Sequence, residues 1–384
     1  MTQDHSISAA APTSTATSAL DVSVIDAHVH LWDPLSTPRV VSPLVRILGK
    51  RPTWMARVAP FLFPRATLDF VGRSDFVVSP HLPGDLRREQ AGFDVRGFVH
   101  IQAGWHVRDP LQLDGETSWL ESLCGPDLLA IVGAADLAHP RLAELLERHR
   151  AASPRFVGVR DMLAFHSGKG VMSWCSSATR SEDPAWRRGF ALLGEDDLSF
   201  DAWCYAEQLP QLSRLLEAHP GTRVVLDHLG TPVAAGGPFG GLGQGAVDRE
   251  RILADWRAQI RDLARHPQLS VKISGLLMPV LGFALHTRAG AAGKAASPAV
   301  GVNEIVVRLR PFVEHALETF GVDRCIFASN FPMDKVSLDW ATLFGAYAEL
   351  TASYSADERR RLFHDNAARF YRIDGPHALT GARC

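Results

Sequence analysis

Eight short β-rich runs recur along this 384-residue chain, at 23–27, 95–102, 129–136, 155–161, 198–205, 223–228, 269–274 and 324–330. Several are mostly apolar without alternation, the pattern of strands covered on both faces, as in a parallel sheet. Helix-like stretches such as 141–150, 206–218 and 249–265 lie between them. Eight strands with intervening helices predict a (β/α)8 barrel of TIM type, with a doubly wound open sheet as the runner-up. No GxGxxG follows the first run, which argues against a dinucleotide-binding domain.

Residues 1–20, rich in Ala, Ser and Thr, carry neither a basic n-region nor an apolar h-region. They read as a disordered leader, and residues 21–384 as a single domain. Three connections exceed what a barrel needs, at 34–92, 229–247 and 276–303. All three run from strand to helix, so they leave the face where barrel active sites form, as lids, substrate walls or tolerated insertions. Hydrophobic content of 46% suffices for a large core, and a formal net charge of -2 argues against a nucleic-acid or membrane-surface binder. No apolar run approaches the ~20 residues that span a bilayer. Five cysteines without a CxxC read as reduced thiols of a cytoplasmic protein.

Polar residues gather where the strands end. The first run leads into His28 and His30, which at i and i+2 share one face of a strand. Such a pair can chelate a divalent metal or grip an oxygen-rich anion. Arg160 closes the fourth run and Lys272 stands inside the seventh, and a buried cation needs an anionic partner. For Arg160 that points to a substrate carboxylate, which its planar fork suits. For Lys272, substrate binding stands beside an internal ion pair with Asp201 or Asp227. The sixth run ends in Asp227-His228, and the eighth leads through Ser329-Asn330 to Asp334.

These pieces in this order resemble the amidohydrolase superfamily. The matching branch of barrel hydrolases (the amidohydrolase-related, or amidohydrolase 2, branch) includes sugar-acid lactonases and 2-pyrone-4,6-dicarboxylate lactonase. The resemblance is carried by Ile25-Asp26-Ala27-His28-Val29-His30-Leu31-Trp32, Val157-Gly158-Val159-Arg160, Val225-Leu226-Asp227-His228-Leu229-Gly230, Val271-Lys272-Ile273-Ser274-Gly275-Leu276 and Phe327-Ala328-Ser329-Asn330-Phe331-Pro332. The closing Asp365-Asn366-Ala367-Ala368-Arg369-Phe370-Tyr371 is similar to that branch's C-terminal helix. The resemblance implies a distorted (β/α)8 barrel and hydrolysis of a lactone, ester or amide. It also implies that His28, His30 and His228 hold one divalent metal, Zn by first choice, or contact the substrate directly in a metal-independent enzyme.

One position departs from the branch, which commonly places an Asp where this chain has Asn330. An amide cannot take a proton from water. The base then falls to His228 or Asp334, with Asn330 orienting the water; Asp334 also reads as a surface acid or helix cap. The expected reaction is opening of a lactone or other carbonyl ester of an anionic small molecule held by Arg160 and Lys272, with His28 and His30 at the carbonyl. A metal-dependent decarboxylase of an aromatic or unsaturated acid and a catalytically retired binding barrel stand as alternatives. A homodimer is left open.

Overall fold

A computed structural model describes residues 20–48, 52–288 and 300–373; the leader at 1–19 and part of the third insertion lie outside them. The expected eight strands form, as β1 Val24–Val29, β2 Val95–Ile101, β3 Leu128–Ala134, β4 Phe156–Arg160, β5 Ser199–Ala202, β6 Val224–Leu226, β7 Leu269–Ile273 and β8 Cys325–Phe327. They pair in parallel in the order β1 through β8. The ring closes beyond β8, where Val29 bridges Phe331 and His30 N donates to Phe331 O at 2.8 Å. This is the TIM barrel.

Its interior is layered. Ile25, Val99, Ala130, Val225 and Ile326 form an apolar floor, against which Ala367 and Tyr371 of the C-terminal helix Asn366–Tyr371 pack. The Tyr371 hydroxyl donates upward to Asp201 Oδ2 at 2.8 Å. Asp201 opens a charged layer with Lys272, Asp227, His28 and Arg160. Between Asp26 and Val29 the register of β1 on β2 shifts, so the strand that buries Ile25 and Ala27 in the floor also turns His28 into the charged layer.

Several strands end before their expected limits, and at two of them the cause bears on the site. β6 stops at Leu226 because His228 and Leu229 adopt positive φ (56° and 51°). β8 stops at Phe327 because Asn330 N turns to donate to His28 O of β1 at 2.9 Å.

The first insertion is helical, with helices Ser42–Leu48, Pro52–Leu62, Arg65–Val71, Ser74–Val78 and Pro83–Glu89. Its base is fastened where Trp32 and His81 exchange backbone hydrogen bonds of 3.0 and 2.9 Å. The second and third insertions pair with each other, Ala234 N to Val280 O and Gly236 N to Leu281 O. Among the described residues no helix is long and apolar enough to cross a membrane. The four described cysteines are free, and Cys204 and Cys325 are buried.

Candidate active site

A cavity of about 410 Å³ opens above the charged layer. Of the seven residues that the sequence points to, His30, Arg160, His228 and Asn330 line it. His28 and Lys272 lie beneath in the charged layer, and Asp334 sits behind Asn330; all three are fully buried.

Each lining histidine has its Nδ1 occupied. His30 Nδ1 is 2.8 Å from the carbonyl oxygen of Ile101. A carbonyl only accepts, so the proton is on Nδ1 and the lone pair of Nε2 is free. His228 Nδ1 is 2.9 Å from Ser274 Oγ. Burial holds the His30 imidazole well below its usual pKa, with Arg160 adding to the effect, and lowers His228 to about 3. Both are neutral bases at physiological pH. His228 is set in place by its positive φ and by Gly275, where a Cβ would come within 2.4 Å of His228 Cγ.

Arg160 is less free than its sequence context suggests. Its Nη1 is 3.6 Å from Asp227 Oδ2 and 3.4 Å from His28 Nε2, and its Nη2 donates to Gln102 O at 2.7 Å. Its Nε has no partner. Lys272 takes the internal ion-pair alternative: Nζ lies 2.5 Å from Asp201 Oδ2 and 3.1 Å from Asp227 Oδ1. Burial raises Asp201 to about 6 against the pull of Lys272. Burial also acts to raise Asp227, but Lys272 and His28 together hold it well below the carboxylate range. Two cations thus face two carboxylates.

Asn330 keeps its amide oxygen buried without a partner, while its Nδ2 donates to Asp334 Oδ1 at 3.5 Å. Burial pushes the Asp334 carboxyl up to about 8, so it is mostly protonated at neutral pH.

The three histidines expected to share a metal lie close together, the His28 ring centroid 4.9 Å from that of His30 and 4.5 Å from that of His228. The donor atoms that gather within 4.8 Å belong to His28, Asp201 and Asp227. In chemistry that set suits a divalent metal, and both Asp227 oxygens lack a hydrogen bond. Its middle, however, is held by Lys272, whose Nζ is also 3.2 Å from His28 Nδ1. A dication fits only in exchange for the Lys272 charge. The sequence points to Asp201 only as a partner for Lys272, and it does not single out a second cavity arginine, Arg39 from the first insertion.

Polar groups from β1, β4 and β6, at the C-terminal end of a parallel barrel, define a barrel hydrolase site by position and chemistry. The chain belongs to the Amidohydrolase family, whose model matches residues 25–373. Among curated proteins it is 29% identical to the uncharacterised protein y4mH of Sinorhizobium fredii, over 92% of this chain and 99% of that one. It is 26% identical to an L-fucono-1,5-lactonase of Burkholderia ambifaria, over 92% and 96%. Among solved structures, an amidohydrolase from Burkholderia multivorans with bound Zn superposes with a TM-score of 0.64 at 23% identity, covering 91% of this chain and 99% of that one.

Proposed function

We propose that the protein opens a lactone, or a related carbonyl ester of an organic acid, with water as the nucleophile. The observation that carries this reading is the shared wall of the cavity, where two neutral imidazoles, His30 and His228, line it together with the guanidinium of Arg160 and the amide of Asn330. The lactonase relative supports it.

In the proposed reaction a water donates one hydrogen bond to Asn330 Oδ1 and a second to an imidazole Nε2. The imidazole takes the proton as the water oxygen bonds to the carbonyl carbon. Arg160 donates to the oxygen that becomes anionic, a role suited to a fixed cation in a site shielded from water. Collapse of the tetrahedral species breaks the bond to the ring oxygen, and the imidazolium returns its proton to that alkoxide. His228 is assigned as the base because its backbone is held strained to present it. His30 stands beside it with its Nε2 lone pair free. His28 and Lys272 serve from below, holding Asp227 and through it Arg160. Asp334, protonated, positions Asn330. A divalent metal held by His28, Asp201 and Asp227 would supply further polarisation of the carbonyl; no step above requires it.

The test is a panel of γ- and δ-lactones and aryl esters, with proton release followed by indicator. His228→Asn is expected to lower kcat by about 10²- to 10⁴-fold, the usual contribution of a general base. If no panel member is opened, or His228→Asn hydrolyses like the parent, the reading fails. Release of CO2 from an aromatic acid would instead favour the decarboxylase, and tight binding without turnover the retired barrel.

A further inference from the structure

Two features of the cavity wall are not used by the chemistry above. One is its composition. Apart from Gln102 and the polar groups already named, the wall is built from large apolar side chains, among them Phe63, Phe70, Met172, Trp174, Trp203 and Met278. Thr67 is the sole hydroxyl-bearing residue among the described lining residues, and no carboxylate lines it. A polyhydroxylated ring would bury hydroxyl groups against this wall without partners, at a cost for each.

The other is Arg39. Its guanidinium lies over the Trp32 ring at 4.7 Å and its Nη1 donates to the carbonyl of Ala103. Its Nε is buried without a partner. Among the described residues no carboxylate lies within ion-pair distance of it, and Glu116 attracts it only from a distance. Glu116 Oε1 accepts from Ala103 N at 2.9 Å and lies 3.7 Å from His100 Nε2, while its Oε2 is buried without a partner. Arg160 in the cavity floor and Lys272 beneath it are matched by Asp201 and Asp227. Arg39 is therefore the unmatched cation of the cavity, presented on an aromatic face that fixes its plane.

We infer that Arg39 is a carboxylate subsite, and that the cavity selects lactones or esters carrying one anionic group on a large apolar body over polyhydroxylated sugar-acid lactones. This rests on the hydrolytic reading above. The anion docks on Arg39 and the body packs on the aromatic and methionine wall, with the reactive carbonyl left at Arg160 and His228.

The test compares three probes: 3,4-dihydrocoumarin-6-carboxylate, its uncharged methyl ester, and D-glucono-1,5-lactone. The parent enzyme should favour the carboxylate over the methyl ester by about 10- to 100-fold in kcat/KM, the scale of a hydrogen-bonded charge, and should turn over the sugar lactone least. Arg39→Met should raise KM for the carboxylate by that factor, leave kcat within about twofold, and leave the methyl ester unchanged. Arg39→Lys should recover part of the loss. Equal losses on both aromatic probes, or the sugar lactone as the best substrate, would overturn the inference. A calorimetric titration with 3-(1-naphthyl)propionate separates this outcome from failure of the hydrolytic reading. Binding lost in Arg39→Met supports the subsite even if no lactone is opened, and equal binding by parent and variant refutes it.

Discussion

The ammonium of Lys272 and the carboxylate of Asp201 face each other at 2.5 Å in the centre of the barrel, with neither side chain exposed. Asp227 and the Tyr371 hydroxyl complete the arrangement. Removing one member of such a set strands a buried charge, which typically destabilises by about 3–5 kcal/mol. Lys272→Met should therefore lower unfolding free energy by about that amount in chemical denaturation. It should also vacate the space among His28, Asp201 and Asp227. Zn²⁺ is then expected to raise the melting temperature of the variant more than that of the parent; an equal shift in both would refute the exchange of lysine for metal.

Asp334 yields a prediction with a definite sign. Its folded pKa of about 8 lies above the ordinary carboxylate value. Between about pH 4 and 8 the folded state holds a proton that the unfolded chain releases, so its contribution to stability is complete below that window and is lost as pH rises through it. The slope is at most about 1.4 kcal/mol per pH unit. Asp334→Asn keeps a neutral group in place and should flatten that part of the profile, with the variant gaining on the parent at pH 8. Denaturation curves at pH 5 and pH 8 that shift in parallel for both proteins would count against it.

The histidines give the opposite slope. His228, lowered to about 3 by burial, stays neutral where an unfolded histidine takes up a proton near pH 6.5. The unfolded state binds more protons in that window, so stability falls as pH drops from about 6.5 toward 3. By the same shift, kcat/KM should show no falling limb near pH 6.5. A limb at that position, removed by His228→Asn, would mean that this imidazole is charged more easily than its surroundings imply.

Gly275 should tolerate no side chain. Its φ is +64°, and a Cβ would meet His228 Cγ and Nδ1 at 2.4 Å. Gly275→Ala is expected to cost about 1–3 kcal/mol of stability and to reduce kcat more than it raises KM, because the imidazole is displaced from the water it serves. Kinetics matching those of the parent would show that the close approach is not needed.

The strands, their order and four of the lining residues were legible because the signals are local. An apolar run of four to seven residues between turns marks a buried strand wherever it occurs. The glycines and polar residues after it mark the strand end. The insertions were less legible: residues 34–92 look like a loop for their prolines but form five short helices, too short to be stable alone and held by tertiary packing such as the cluster of Val45, Val58 and Val78. Arg39 could have been noticed as a cation beside Val40 and Val41, yet nothing local indicates that no acid will meet it.

What the sequence determined alone was the barrel, the use of its C-terminal strand ends and the kinds of group that collect there. What tertiary structure decided was the pairing of those groups. Lys272 and Asp201 are 71 residues apart, and His28 and Lys272 are 244 apart. Whether a cation is matched inside the protein or left for a substrate depends on distances of a few ångströms in a low-dielectric interior. Those distances follow from how eight strands close and shift register on one another. That closure sets Lys272 between two carboxylates, and leaves Arg39 facing the cavity.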